Sequence, residues 1–266
     1  MIPEAILNRK GAQKPADIPT DVLKLLNEGA IASVNLSEWL AVDHAALARQ
    51  VLGNHIELDA LEKALTAVKK PSARNVTAAV GTTIAQHMPA EHMLALCEEL
   101  RQHPSVSVRC WCPYAINGHA GLSFEEKLHH TKSYARDDHF GVREIAWLAF
   151  RPVATTDLDQ SIELLRAWAL DENENIRRFA SEALRPRGVW CTHIQELKDH
   201  PAKVLPILSP LKSDSSKYVR DSVGNWLNDA AKSDPEWVVA LCDEWLEASK
   251  TPETAYIVKR AKRSIK

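Results

Sequence analysis

"ENIRRFASEAL", residues 174–184, can be laid over three other segments of the chain on a shared arginine. These are "VSVRCWCPYAI" (106–116) at Arg109, "FGVREIAWLAF" (140–150) at Arg143 and "KYVRDSVGNWL" (217–227) at Arg220, with Arg177 as the shared position in the first segment. Arg109, Arg143 and Arg177 are spaced by 34 residues, and Arg220 follows after 43. "AYIVKRAKRSI" continues the series at Lys259, and "ARNVTAAVGTTI" near Arg74 reads as an earlier, degenerate copy. A turn-like polar stretch ("RDDHFG", "DENEN", "SDSSK") precedes three of the cores, and an amphipathic segment such as "DLDQSIELLRAWAL" comes before that. A repeat of about this length with two helical segments is the signature of a HEAT-type array. The expected fold is therefore all-α: HEAT-like two-helix repeats in a right-handed solenoid with a concave binding face. It is expected as one domain over 1–266, with an N-terminal helical cap over about 1–70 and repeats over 71–266.

Periodicity within each core divides its faces. The residue before the shared arginine is Val108, Val142, Ile176 or Val219, and three after it come Cys112, Ala146, Ala180 and Val223. Six and seven after it come Ala115 and Ile116, Ala149 and Phe150, Ala183 and Leu184, Trp226 and Leu227. That spacing makes an apolar helical stripe, expected to be core. The stripe one, five and nine residues after the arginine holds Cys110 and Tyr114, Glu144, Arg178 and Glu182, then Asp221, Asn225 and Asp229. Second helices line the inner surface of such arrays, so Glu144, Glu182 and Asp229 can converge there. The alternative is a set of solvated helix-face charges paired with their neighbours. The shared arginines are expected to stitch repeats together, whereas Arg178, Arg185 and Arg187 have no equivalent in every repeat and suit contact with a ligand.

Bulk properties are ordinary. Apolar residues make up 45% and charged residues 26% of 266, and the formal charge is −2. A nucleic-acid ligand would therefore need basic residues gathered on one face. There is no apolar run of ~18 residues and no hydrophobic signal core at the start, so a cytoplasmic protein with reduced cysteines is expected. Cys110-Trp-Cys112 is too tightly spaced for a zinc knuckle, His129-His130 reads as a surface loop, and no glycine-rich phosphate loop or nucleophile elbow is present. No metal and no cofactor are expected. Trp168, Trp226, Trp237 and Trp245 read as packing residues, while Trp147 falls beside the acid-bearing stripe. Trp190 follows a Pro-Arg-Gly break that ends a helix, so it either faces a ligand or packs under the next helix. The basic run "VKRAKRSIK" at the end reads either as a DNA contact or as a solvated helix end.

"GVREIAWLAFRP", "ENIRRFASEALRPRGVWC", "YVRDSVGNWLNDAAK" and "YIVKRAKRS" together resemble the bacterial DNA alkylation repair glycosylases built from HEAT-like repeats. The AlkC-like branch is the closer one, and "LNEGAIASVNLSEWLAVD" fits it too. The likeness runs from about Ile18 to Lys266, and the immunoglobulin-like domain that larger members carry after the repeats is not expected here. It implies an N-glycosidase removing N-alkylated bases such as 3-methyladenine from duplex DNA in base excision repair, without turning the base into a pocket. It implies Glu144, Glu182, Trp190 and Asp229 as the active-site set, and a monomer acting at the bacterial nucleoid. The residues suit that chemistry. An N3- or N7-alkylated purine is cationic, and its departure leaves positive charge on the deoxyribose. Carboxylates flanking that charge stabilise it and orient a water. The Trp190 or Trp147 ring adds cation–π attraction, and Arg178, Arg185 and Arg187 are expected at the phosphates. The competing expectation is a non-catalytic HEAT-repeat scaffold for protein partners or damaged DNA.

Overall fold

The computed structural model describes residues 2–265, and among them there are helices, turns and loops but no strand. The chain divides into two compact units, Met1–Ala149 and Phe150–Lys266. The division falls within one helix, Phe140–Ala154.

In the first unit the Ala73–His87 helix packs along Trp111–Gly118. Gly81 permits this approach, because a Cβ there would lie 2.4 Å from the Trp111 carbonyl oxygen. The "ARNVTAAVGTTI" segment thus forms a helix that packs against the first aligned core. Ala90–Leu100 and Phe124–Ala135 lie between the repeat cores, the latter started by a capping box in which Ser123 and Glu126 satisfy each other's backbone N–H groups. Nearer the N-terminus, Arg9 forms two hydrogen bonds with buried Glu38, at 2.9 and 2.7 Å. This pair fastens the first residues to the Leu36–Ala41 helix.

The second unit repeats the pattern. Leu158–Trp168, capped by Asp157, leads into Glu174–Glu182, capped by Asn173. Lys217–Ala231 is followed by Pro235–Ala248, capped by Asp234, and then by Pro252–Ala261, capped by Thr251. Helix Glu174–Glu182 packs against Lys217–Ala231, which in turn packs against Pro252–Ala261. The expected apolar stripe is core throughout: from Val108 to Leu227, none of its members is more than 4% exposed.

The shared arginines do more local work than stitching. Arg143 Nη1 donates to the carbonyls of Asp137 and Asp138, Arg177 Nη1 to those of Asp171 and Glu172, and Arg220 Nη1 to those of Asp214 and Ser215. Each guanidinium closes the turn that precedes its own helix. Stitching is present as well: Arg177 pairs with Asp214 in the next turn at 2.6 Å, and Arg109 lies 3.6 Å from Asp137.

Candidate active site

Helix Glu174–Glu182 ends where Pro186 removes the N–H that would continue it. Its terminal carbonyls find other donors. Trp226 Nε1 donates to Leu184 O at 3.0 Å, and Arg151 donates to Ala183 O at 2.8 Å and to Arg185 O at 2.6 Å. The chain then makes a loop, closed by Ile194 N–H donating to Pro186 O. The interval from Arg177 to Arg220 exceeds the 34-residue period by nine, which is also the length of this loop, 186–194.

Two carboxylates meet at the start of the loop. Arg185, three residues after Glu182, folds back over it: Nη1 donates to Glu182 Oε1 at 2.7 Å, while Nε and Nη2 donate to Asp229 Oδ2 at 2.9 and 2.7 Å. One guanidinium thus bridges acids from two packed helices. Ser222 donates to Glu182 Oε2 at 2.6 Å and accepts from Ser181. Arg178 lies 3.8 Å from Glu182 Oε2 and covers the Tyr218 ring. Lys232 reaches Asp229 Oδ1 at 3.2 Å. Glu182 and Asp229 are 4% and 3% exposed. Burial works against the charged form of Glu182. The fields of Arg178 and Arg185 and the hydrogen bonds from Ser222 and Arg185 outweigh it, so the carboxyl titrates below its ordinary 4.5 and is ionised at neutral pH. Burial likewise opposes the Arg185 charge, and the two acids overcome it, raising that group.

Trp190 stands at the tip of the loop, 58% exposed, next to exposed Val189. Its φ of 62° lies in the left-handed region, and among the described residues it is the only non-glycine there. A bulky side chain held in that conformation is unusual, and such strain tends to gather at functional sites. Arg187 crosses from the loop to Ser233 Oγ at 2.9 Å, just past the end of the helix that carries Asp229.

The chain matches the DNA alkylation repair enzyme family over residues 62–263. It belongs to that family. A curated relative from Bacillus subtilis (strain 168), the uncharacterized protein YhaZ, is 43% identical over 117 residues, which is 44% of this chain and 32% of the relative. Among solved structures the chain is similar to the Pseudomonas fluorescens alkylpurine DNA glycosylase AlkC bound to DNA containing an abasic site analog. That match has a TM-score of 0.67 at 28% identity, over 84% of this chain and 61% of that one. It also shares the fold of AlkD2 from Streptococcus mutans, with a TM-score of 0.63 at 22% identity, over 82% of this chain and 99% of that one. The chain therefore spans about a third of the curated relative and about three fifths of the AlkC chain. Among the described residues no helix is long and apolar enough to cross a membrane.

Within this family frame, the structure brings together Glu182, Asp229, Arg178 and Arg185, with Trp190 and Arg187 on the loop that leaves the same helix end. Glu144 and Trp147 belong to the first unit, where the Trp147 indole donates to Glu144 Oε2 at 2.8 Å. Trp147 is a buried side chain there. Arg185 departs from the expectation of a phosphate contact. It is buried, and its donors are directed at carboxylates. The cause is helical geometry: a residue three positions on lies over the same face. Cys110 on the expected open stripe is also buried. Sequence reasoning missed Ser222 and Arg151. Ser222 lies two positions after Arg220, off both stripes, and only its contact with Glu182 marks it.

Proposed function

We propose that this protein is a DNA glycosylase that hydrolyses the N-glycosidic bond of cationic N-alkylated bases, such as 3-methyladenine, in duplex DNA. The observation that carries the reading is the pair of buried carboxylates, Glu182 and Asp229, held on one guanidinium beside the strained Trp190 loop. In the reaction the C1′–N bond breaks with its electron pair going to the base, which leaves neutral. Positive charge stays on the deoxyribose, water adds at C1′, and a proton is released. Glu182, ionised and weakened as a base by its arginines, suits field stabilisation of the sugar cation rather than proton transfer. Asp229 Oδ1, facing the half-exposed Lys232, suits orientation of the water. Trp190 offers an aromatic face to the same cation. Arg178 and Arg187 offset repulsion between the acids and the DNA phosphates. Hydrolysis needs only water, so no cofactor enters. The duplex lies along the second-helix face, and the protein acts as a cytoplasmic monomer at the nucleoid.

One observation favours a second reading, a non-catalytic scaffold binding damaged DNA or protein partners: both carboxylates are almost fully enclosed and every carboxylate oxygen has a donor. Free-base release from duplexes carrying 3-methyladenine or 7-methylguanine separates the two. The glycosylase reading expects release by the wild-type protein and a loss in Glu182→Gln. Release no greater than that of an empty-vector preparation on both lesions overturns it in favour of the scaffold.

A further inference from the structure

Arg151 has no place in the proposed chemistry, yet it is among the most enclosed charges in the second unit, at 3% exposed. Its hydrogen bonds go to backbone carbonyls. Nη1 donates to Ala183 O and Nη2 to Arg185 O, at the end of the Glu182-bearing helix. Nε and Nη2 donate to Thr192 O, at 3.1 and 3.0 Å, on the far side of the loop. One planar fork thus ties the loop's incoming limb to its outgoing one. Gly188, midway, packs directly on the fork. A Cβ there would lie 3.4 Å from Arg151 Cζ and 2.5 Å from Cys191 Sγ. The guanidinium fills the inside of the loop, and the tip it leaves outward is Val189-Trp190.

We infer that Arg151 is a positioning residue: it holds the Trp190 loop and the Glu182 helix end as one rigid frame, so that indole and carboxylate keep a fixed separation. Three features require such a pin. A left-handed φ at a tryptophan persists only where its surroundings over-determine it. Terminal carbonyls of a helix that do not reach solvent need donors, and a cation at that end also suits the helix dipole. The loop's base is joined by a backbone hydrogen bond from Ile194 to Pro186, Arg187 reaches outward to Ser233, and the Arg151 fork fills the space between its two limbs. Lysine at 151 would keep the charge but present one nitrogen where the fork uses three in a plane.

The kinetic consequence rests on the glycosylase reading, whereas the mechanical one does not, and the test reads them separately. In Arg151→Lys, amide hydrogen exchange in peptides covering 186–194 should quicken by at least ~10-fold, with the 217–231 helix unchanged. Unchanged exchange in the loop, or a rise spread evenly over the second unit, overturns the inference. In single-turnover base release the same variant should slow by ~10–100-fold, the range for outer residues that orient a site. Duplex affinity should stay within about twofold. In a Trp190→Ala background, Arg151→Lys should add no further loss, because the pin would have nothing left to aim. Full additivity of the two losses overturns the inference. A wild-type protein that releases no base, but whose loop loosens in Arg151→Lys, overturns the glycosylase reading and leaves the clamp standing.

Discussion

Replacing Arg185 with methionine tests the electrostatics of the site directly. The substitution keeps an unbranched apolar stem and removes three charge-assisted hydrogen bonds, one to Glu182 and two to Asp229. Removing one partner of a buried ion pair destabilises by ~3–5 kcal/mol, because the remaining charge stays buried without its match. Here the lower end applies. Glu182 keeps the Ser222 hydroxyl and Arg178, and Asp229 keeps Lys232. The expected loss is ~3 kcal/mol at pH 7, or a fall in Tm of ~10 °C for a unit of this size. The sign of its pH dependence follows. In Glu182 burial raises the carboxyl while Arg178, Arg185 and Ser222 lower it, so loss of the Arg185 contribution moves its titration upward. The penalty in the variant is therefore relieved as acidification protonates that carboxyl. Chemical denaturation followed by circular dichroism at pH 7 and at ~5 measures both effects. A loss below ~1 kcal/mol at pH 7, or a gap that fails to narrow on acidification, refutes the view that one guanidinium holds the acids together.

Four further outcomes follow from the same geometry. On the glycosylase reading, in which its field acts on the transition state, Glu182→Gln should lower single-turnover base release by ~10²–10³-fold with duplex affinity nearly unchanged; an equal loss in affinity would assign Glu182 to binding. Native Glu182 titrates below 4.5, so its stabilising contribution is complete above that value and is lost only as pH falls through the lower native one. The stability difference between the wild type and Glu182→Gln should accordingly hold steady from neutrality down to 4.5 and shrink below it; a decline beginning above 4.5 would refute the lowered value. Trp190→Gly relieves a left-handed backbone worth ~1–2 kcal/mol and frees the unfolded chain by ~0.5–1, so stability should rise by no more than ~1.5 kcal/mol while base release falls by ~10-fold or more; a stability loss above ~2 kcal/mol would make the indole a packing residue. Arg187→Ala should flatten the salt dependence of duplex binding by about one unit of slope, whereas Arg185→Met should leave the slope alone; the reverse pattern would exchange their roles.

Much of the architecture was legible because the apolar stripe obeys a helical period that burial enforces. Val108, Val142, Ile176 and Val219 sit at one register and lie wholly inside. Turn residues announced helix starts for a local reason too: Asn173 and Asp157 accept from the first turn of the helices they precede. Pairings across the array were less legible. Periodicity says that Glu182 and Asp229 share a face, but it does not say that Arg185 turns back to join them, since a long side chain after a helix end has several directions open to it. Arg151 was hidden for a different reason. It lies one position past the aligned segment 140–150, off both stripes, and its acceptors are backbone carbonyls, which leave no mark in a pattern of side chains. The strain at Trp190 was foreshadowed only by the neighbouring Pro186 and Gly188.

The arginine that closes its own turn has a consequence for how such an array changes over generations. Because Arg143, Arg177 and Arg220 each grip carbonyls five and six residues behind them, each of these three modules carries its own latch. A duplicated or deleted module arrives already folded at its corner, with no need for a matching substitution next door. The outward positions of neighbouring modules are then free to drift apart in chemistry. An acid, an arginine and an aromatic ring can accumulate on one surface while the hinge beneath them stays the same.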